Sequence, residues 1–438
     1  MAKPTLEGLP TELIVPILFH IPDLDSLRSI VISSPVCHRV YLFARWEVLS
    51  QVLERQYGGL LDPAEAITAV RSKGLPLAQY KEKAIALLDV WRRSREMSGS
   101  GVMPELRPDQ PESLEELLQL LNLHRMLHFF LEDYEKNIPR PPDWIGDAEW
   151  NHTLPLELSH TEKRRFLRAV CRLQILANIF GTQEIDPDLC DYKPRNIWML
   201  NNQKDCEHTS NEDAYRLFYG TLPLWEHDEM GCVQSYLSCK YNPISNEISE
   251  DLCRLMKETG CDYFWQIKPK SESPPTMAMD TVDHLEGFPD YFDGLASIGP
   301  EFLYRALHAD RLRRRNMVMA NLDCSATSFI GKSLTSDWDE MLPYIHPADR
   351  HEVQNFEYFW STLLPTDQPN LGWKKFSLLP HTPDTYLEYA LDMSRVPEGP
   401  EWAWGYALWD DERLKEWKAP FLQKSSGASE VPLHGPDD

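Results

Sequence analysis

The sequence has no hydrophobic run long enough to cross a membrane, since its apolar stretches fall short of the roughly 20 residues that a bilayer-spanning helix requires. Its first five residues, from Met1 to Thr5, also lack the apolar core of a secretory signal peptide. We therefore expect a protein of the cytoplasm, the nucleus or both, without a membrane partner.

Paired cysteine motifs are missing as well. The 438-residue chain has nine cysteines, an odd number, and no two of them form a Cys-x-x-Cys pair. The spacings Cys232 to Cys239 and Cys253 to Cys261 do not match those of zinc knuckles. In a large chain, this usage is typical of buried thiols in a reducing compartment rather than of a disulfide framework.

Cationic residues are scarce. The chain has 44 Lys and Arg against 68 Asp and Glu, which gives a net charge of −24. Since sequence-independent binding to nucleic acid needs clustered cations, we predict no nucleic-acid partner and interpret the acidity as a solubility feature. The densest basic cluster, from Arg311 to Arg315, is interpreted as a solvated helix face, with a site for an acidic partner as the alternative.

Sequence motifs of catalysis are also absent: there is no Gly-x-Ser-x-Gly, no Walker loop and no dinucleotide fingerprint. The sequence also has no repeat period of the kind that gives a propeller, leucine-rich or ankyrin array. His124 and His128 are four residues apart on a predicted helix, but no third metal ligand accompanies them. We predict no catalytic residue, metal or cofactor. A metal-dependent enzyme built on His346, Asp349 and His351 remains an alternative, although Asp349 is better explained as a helix cap.

What the chain does contain is a dense series of helix signals. Hydrophobic residues make up 42% of it, which is globular composition, and its length allows two or three cores. Caps and apolar spacing predict a mainly α-helical protein. The predicted helices begin near Pro10, Leu24 and Pro35, cover residues 46–57, 62–74 and 78–95, begin again at Ser113 and Ser159, and cover residues 213–219, 224–239, 247–259 and 300–320.

Residues 9–31 have more apolar surface than two short helices can bury between themselves. Proline at the first helical position and a cap at Asp23 or Asp25 define the two helices, and Pro16 predicts that the first is kinked or short. In the third helix, we expect Val36, Val40, Phe43 and Ala44 to point inward. The apolar stripe consists of Leu9, Leu13, Ile14, Ile17 and Leu18 in the first helix and Leu24, Leu27 and Val31 in the second.

The run Leu-Pro-x-Glu-Leu-Ile-x-x-Ile-Leu, followed by Asp-Leu-x-x-Leu, resembles an F-box over residues 6–45. The F-box is a three-helix module that binds the Skp adaptor of cullin-based ubiquitin ligases. The usual Cys-Arg-x-Trp ending is replaced by residues 33–41, which begin with Ser-Ser-Pro and end with Val-Tyr. This ending is similar to that of a large group of F-box proteins in filamentous fungi. The resemblance implies that the adaptor-binding residues are Leu9, Pro10, Leu13, Ile14, Ile17, Leu18, Leu24 and Leu27.

The C-terminal hundred residues are rich in aromatics, and residues 402–417 resemble the terminal Gly-Tyr-x-Φ-Trp-Asp-x-x-Arg-Leu segment of the same group, where Φ is apolar. We interpret this segment as a closing element over the helical body, with an aromatic ligand cleft as the alternative. Within it, Asp411 or Glu412 is expected to pair with Arg413 or Lys415.

Taken together, these patterns predict an F-box at 6–45, a helical extension packed on it at 46–97, a linker at 98–112, an α-rich body at 113–423 and a disordered tail at 424–438. The resemblance implies a non-enzymatic substrate adaptor that binds a Skp-family adaptor, and through it a cullin, and holds a target protein near the ubiquitin carrier. The alternative is an interaction scaffold whose F-box serves folding or other contacts.

Overall fold

The fold is described from a computed structural model, which covers residues 6–98, 110–141, 145–186, 211–259, 295–321, 361, 363–377 and 402–419. Within these ranges the chain is mainly helical and contains no strand, which confirms the predicted mainly α fold. None of the helices in them combines the length and the apolarity that crossing a bilayer would require.

The helices of the described residues differ widely in length. The helices are α1 (Thr11–Phe19), α2 (Leu24–Ser33), α3 (Pro35–Phe43), α4 (Arg45–Tyr57), α5 (Pro63–Arg71), α6 (Leu77–Ser98), α7 (Leu114–Asn137), α8 (Asp147–Thr153), α9 (His160–Phe180), α10 (Asn211–Leu217), α11 (Leu224–Cys239), α12 (Tyr241–Thr259), α13 (Pro300–His308), α14 (Arg311–Asn321), α15 (Leu371–Ser377) and α16 (Asp411–Glu416). Single 3-10 turns precede α1, α11, α15 and α16.

Local sequence signals set most of the helix ends. The Asp23 carboxylate accepts a hydrogen bond from the Ser26 backbone N–H at 2.7 Å and so caps α2. Ser34 caps α3, and Gly58 ends α4 in the left-handed conformation. Pro16 lies inside α1, which is only nine residues long. Ser159 opens α9 with a complete capping box.

The described residues form two hydrophobic cores. The smaller one lies among α1, α2, α3 and one side of α4, and the start of α7 completes it with Leu117 and Leu121. The larger core contains α5, α6, α9 and α11 together with the rest of α7. α4 contributes Val52 to the smaller core and Tyr57 to the larger one. α7 likewise contributes Leu121 to the smaller core and Leu120 to the larger one, so both helices belong to both cores.

This distribution differs from the predicted division of the chain. We expected residues 46–97 to pack on the N-terminal module, and within the described part of that stretch the buried side chains of its core come from α4. α5 and α6 instead place Ile67, Leu88 and Trp91 in the larger core, because their apolar faces meet α9 and α7. Most of the predicted linker, residues 99–109, and all of the predicted tail lie outside the described residues.

Phe43 corrects a prediction about α3. We expected it to point inward, yet 86% of its surface is exposed. Cys37, Val40 and Ala44 recur at three- and four-residue intervals and occupy the inner face of the helix, so Phe43 projects away from that face. Its exposure places a large aromatic ring on the surface of the N-terminal module.

The region predicted as one helix over 300–320 is two helices, α13 and α14, separated at Ala309 and Asp310. We predicted that the arginines of α14 form a solvated helix face, but two of them pair with carboxylates of α12. Arg311 pairs with Asp251 at 2.7 Å, and Arg314 pairs with Glu247 at 2.7 Å. These pairs attach α14 to α12, while Arg313 stays exposed.

The C-terminal segment packs against α9 and α11. Trp402, Trp404 and Trp409 are buried in the larger core, and Gly231 of α11 allows the Trp402 ring to approach so closely that an added Cβ would lie 2.3 Å from it. The expected pairing inside residues 410–416 is wrong, because Arg413 binds Glu162 of α9 at 2.6 Å. The segment is therefore fixed by contacts with another helix.

Candidate functional site

The eight residues that the resemblance assigned to adaptor binding are not on one surface. Ile14 and Leu18 are completely buried, and Leu27 is buried beside them in the smaller core. Three of the predicted residues therefore stabilise the module itself, because the inward face of α1 is the one that carries Ile14 and Leu18. Leu9 and Leu24 are half-buried.

The remaining predicted residues, Pro10, Leu13 and Ile17, are exposed at the start and on the outer face of α1. Other large apolar side chains on the module are exposed too. Of the eleven exposed large apolar residues within the described ranges, seven lie between Leu6 and Trp46. They are Leu6, Leu13, Ile17, Ile32, Leu42, Phe43 and Trp46. The N-terminal module therefore exposes more large apolar side chains than all the other described residues together.

A cleft of about 410 Å³ lies where the module meets the body, between the start of α2, the end of α4 and one face of α7. His124 is in its wall. The Nε2 of His124 is 3.1 Å from the Gln56 carbonyl oxygen, and because a carbonyl only accepts, we assign the proton to Nε2. The imidazole also meets the edge of the Tyr57 ring, with 5.2 Å between centroids.

These contacts give the predicted histidine pair a structural role. His128 Nδ1 pairs with Glu132 at 3.3 Å rather than sharing a ligand with His124. Within the described ranges, no three His, Cys, Asp or Glu side chains are grouped so that they would hold a metal ion. The second constellation, His346, Asp349 and His351, lies outside the described residues.

The protonation of His124 should make stability depend on pH. Burial lowers its pKa from 6.5 to about 4, so the unfolded chain takes up a proton between these values and the folded chain does not. Stability is therefore lost as the pH falls from 6.5 towards 4. We expect a His124→Gln variant, compared with the unchanged protein in urea unfolding at about pH 7 and about pH 5, to be less stable at the higher pH and to regain part of the difference at the lower one.

A difference in unfolding free energy that stays constant between these two pH values would contradict the prediction. The comparison of two proteins matters, because other buried acids and bases also titrate in this range and their contributions cancel in the difference.

A second cleft, of about 260 Å³, lies on the opposite face of α7, where it meets α5, α9 and α13. Gln119, Asn122, Leu123 and Met126 of α7 recur at helical spacing along this wall. Arg125 lies between the two faces and lines both clefts. One helix thus separates the two clefts.

A buried charge network, which the sequence analysis did not predict, lies between α9 and its neighbours. Arg168 donates to both carboxylate oxygens of Glu229, at 2.7 and 2.8 Å from Nη2, and its Nη1 is 3.2 Å from Glu226. Arg172 donates to Glu65 at 2.7 Å and to Glu226 at 2.6 Å. All five side chains are buried.

The network extends to the C-terminal segment. Arg165 donates from Nη1 to the carbonyl oxygens of Leu408 and Trp409 and to the Asp410 carboxylate, at 3.1–3.2 Å. Burial disfavours the charged form of Arg168, but Glu229 and Glu226 outweigh it and hold the pKa of this guanidinium well above its usual value. We interpret the network as the ionic connection that holds α5, α11 and the C-terminal segment on α9.

One signal in the sequence indicates this arrangement. Arg165, Arg168 and Arg172 recur at three- and four-residue intervals on a helix whose other residues are largely apolar, and a buried arginine needs a carboxylate partner. Glu226 and Glu229 repeat the interval on α11. The network lines neither cleft, so we place the candidate functional site at the exposed apolar surface of the module and the clefts beside it.

Comparisons of the chain with protein-family models, with curated proteins and with solved structures found no match.

Proposed function

We propose that this chain is an F-box-type substrate adaptor of the cytoplasm or nucleus. Residues 6–45 would bind a Skp-family adaptor and through it a cullin, and the helical body would present a target protein for ubiquitination. The chain would contribute no catalytic group of its own. Its mechanism would be proximity, since a target held near a charged ubiquitin carrier reacts as in an intramolecular step.

The observation that carries this proposal is the concentration of exposed apolar side chains on a module whose core, completed by α4 and α7, does not include them. Ile14 and Leu18 are already buried, so Leu13 and Ile17 on the outer side of α1 have no role in the interior. Burying each such side chain against a partner contributes about 1.5–3 kcal/mol. Several together offset the cost of association, which is of the order of 4–15 kcal/mol.

The way in which the module is attached to the body also supports the proposal. Because α4 and α7 contribute to both cores, the exposed surface of α1 has a defined position relative to the body. In addition, Arg55 of α4 donates to the Ile21 carbonyl oxygen at 2.7 Å and fixes the turn between α1 and α2. An adaptor needs this property, since the distance between the ligase and the target sets the rate of transfer.

The proposal predicts that Leu13→Asp combined with Ile17→Asp weakens binding to a recombinant Skp-family adaptor by at least about 100-fold. Both side chains are exposed, so the charges would enter the interface without entering the smaller core. Binding can be measured by co-purification and by calorimetry, with circular dichroism to show that the helical content is unchanged.

The matched control is Leu312→Asp, which places the same charge at an exposed leucine of α14 and should leave adaptor binding unchanged. If the unchanged protein does not bind the adaptor at all, the proposal is wrong, and an interaction scaffold becomes the better interpretation of the chain.

A further inference from the structure

One stretch of the N-terminal module contains cations and no carboxylates. Residues 26–46, which cover most of α2 and all of α3, contain no Asp or Glu. Their cations are Arg28, Arg39 and Arg45. The chain has 68 Asp and Glu among 438 residues, or one in about six, so a stretch of this length would be expected to hold about three. In a protein whose net charge is −24, this stretch is a local positive region.

None of these three arginines forms an ion pair within the described part of the chain. Arg39 donates from Nε to the Pro35 carbonyl oxygen of its own helix at 3.4 Å, and Arg45 donates from Nε to the Tyr41 hydroxyl at 3.2 Å. Arg28 makes neither a hydrogen bond nor an ion pair with any described residue. Arg28 and Arg39 are exposed, so most of their N–H donors remain available to an incoming carboxylate.

The acidic residues nearest in the sequence lie just outside this stretch. Asp25 is at the start of α2 and Glu47 is in the first turn of α4. Both are exposed, and neither pairs with an arginine of the stretch. His38, which is exposed on α3, adds positive charge when it is protonated. The charged groups of α3 itself are therefore all cations.

The same helix exposes a large apolar surface. Leu42 is 55% exposed and Phe43 is 86% exposed, and they follow Arg39 by three and four residues, so the three side chains share one side of α3. We call these three residues the α3 face. Ile32, at the end of α2, is 70% exposed. Because Val40 on the other side of α3 fills the smaller core, the α3 face has no role in the interior.

A cationic and apolar surface can bind an acidic protein segment or an anionic membrane. A bilayer presents an extended negative surface to the whole molecule, whose net charge of −24 opposes its approach. A short segment meets α3 alone, because charges more than roughly 8 Å away are largely screened at physiological salt. The nine residues of α3 extend over about 13 Å, which two to three turns of a partner helix would match. The charge therefore favours an acidic helical segment.

We propose that the α3 face is a second docking surface, which binds a helical protein segment with apolar side chains on one side and carboxylates beside them. It is distinct from the surface proposed for the Skp-family adaptor. Leu13 and Ile17 lie on the outer side of α1, whereas Phe43 lies on the outer side of α3, and the smaller core separates the two sides. The inference does not depend on binding of the adaptor.

The test uses the purified full-length chain and three fluorescent helical peptides of about 16 residues. The first has leucines at helical spacing and glutamates beside them. The second has glutamines in place of the glutamates, and the third has alanines in place of the leucines. We expect the first peptide to bind at least about tenfold more tightly than either of the others, and added salt to weaken its binding.

Arg39→Glu combined with Phe43→Gln should weaken binding of the first peptide by at least about tenfold, because it removes both the charge and the ring from the α3 face. Both side chains are exposed, so circular dichroism should show unchanged helical content. The matched control is Arg313→Glu combined with Leu312→Gln, which makes the same change of charge at exposed positions of α14 and should leave binding unchanged.

Three results would overturn the inference. They are equal binding of the three peptides, no binding of the first one, and equal effects of the two double variants. Vesicles of phosphatidylserine and phosphatidylcholine test the membrane. Binding to these vesicles without binding to the first peptide would assign the α3 face to a membrane and would also overturn it.

The same proteins separate this inference from the adaptor proposal. The variant with Arg39→Glu and Phe43→Gln should still bind the Skp-family adaptor, and the variant with Leu13→Asp and Ile17→Asp should still bind the first peptide. Loss of adaptor binding in the former would make the α3 face part of the adaptor interface, and the inference would be wrong. If the unchanged protein binds the peptide but not the adaptor, the adaptor proposal alone fails.

Discussion

Replacing Arg168 by alanine should lower the free energy of unfolding by about 3–5 kcal/mol, the cost of breaking a buried ion pair by removing one partner. Arg168 binds Glu229 through two nitrogens and also lies 2.9 Å from Asp367 and 3.2 Å from Glu226. Without it, these carboxylates would face one another in a site with little water. Urea unfolding followed by circular dichroism measures the loss.

The neighbouring Arg164 provides the control. It lies on the same helix and is 3.6 Å from the same Asp367, but a quarter of its side chain is exposed and the pair is long. Arg164→Ala should therefore cost less than about 1 kcal/mol. Similar losses for the two variants would show that burial of the charge does not decide the energy. Arg168→Met combined with Glu229→Gln should recover part of the loss, because it removes both charges of the pair.

Trp409→Ala should cost a similar amount, about 3–5 kcal/mol, because it empties the space of a completely buried tryptophan. The indole N–H of Trp409 donates to the Trp404 carbonyl oxygen at 3.0 Å, and its ring stacks against Tyr134 with 6.1 Å between centroids. The variant loses these contacts, and the Trp404 carbonyl loses a buried donor. Urea unfolding at constant pH gives the difference.

Trp417 is the matched control for this substitution. Its ring meets Trp409 edge-on at 5.3 Å but is only partly buried. Trp417→Ala should cost clearly less than Trp409→Ala, since less apolar surface is lost and the space opens to solvent. If the order were reversed, the C-terminal segment would be held mainly by its outer residues, and Trp409 would not be its anchor.

The helices could be predicted because their signals are local. Ser159 caps α9 through a residue three positions away, and Gly58 ends α4 by its own backbone conformation. The direction in which side chains face was less predictable. Leu13 and Ile14 are adjacent and equally apolar, and only the packing of α3 and α4 on α1 decides that Ile14 is the buried one.

The buried charge network could not be predicted from the sequence for a related reason. Arg168 and Glu229 are 61 residues apart, and Arg172 and Glu65 are 107 residues apart. The arginine spacing on α9 shows that partners must exist, but their identity depends on which helices meet α9.

The sharing of α7 between the two cores has a consequence for how the chain is made. The folding unit at the N-terminus is discontinuous in sequence, because it needs Leu117 and Leu121 as well as residues 6–52. During synthesis, the first helices must wait until α7 has left the ribosome before their interior is complete. A fragment cut after residue 45 would lack this cover, so the smallest autonomous module extends well beyond the motif that marks it.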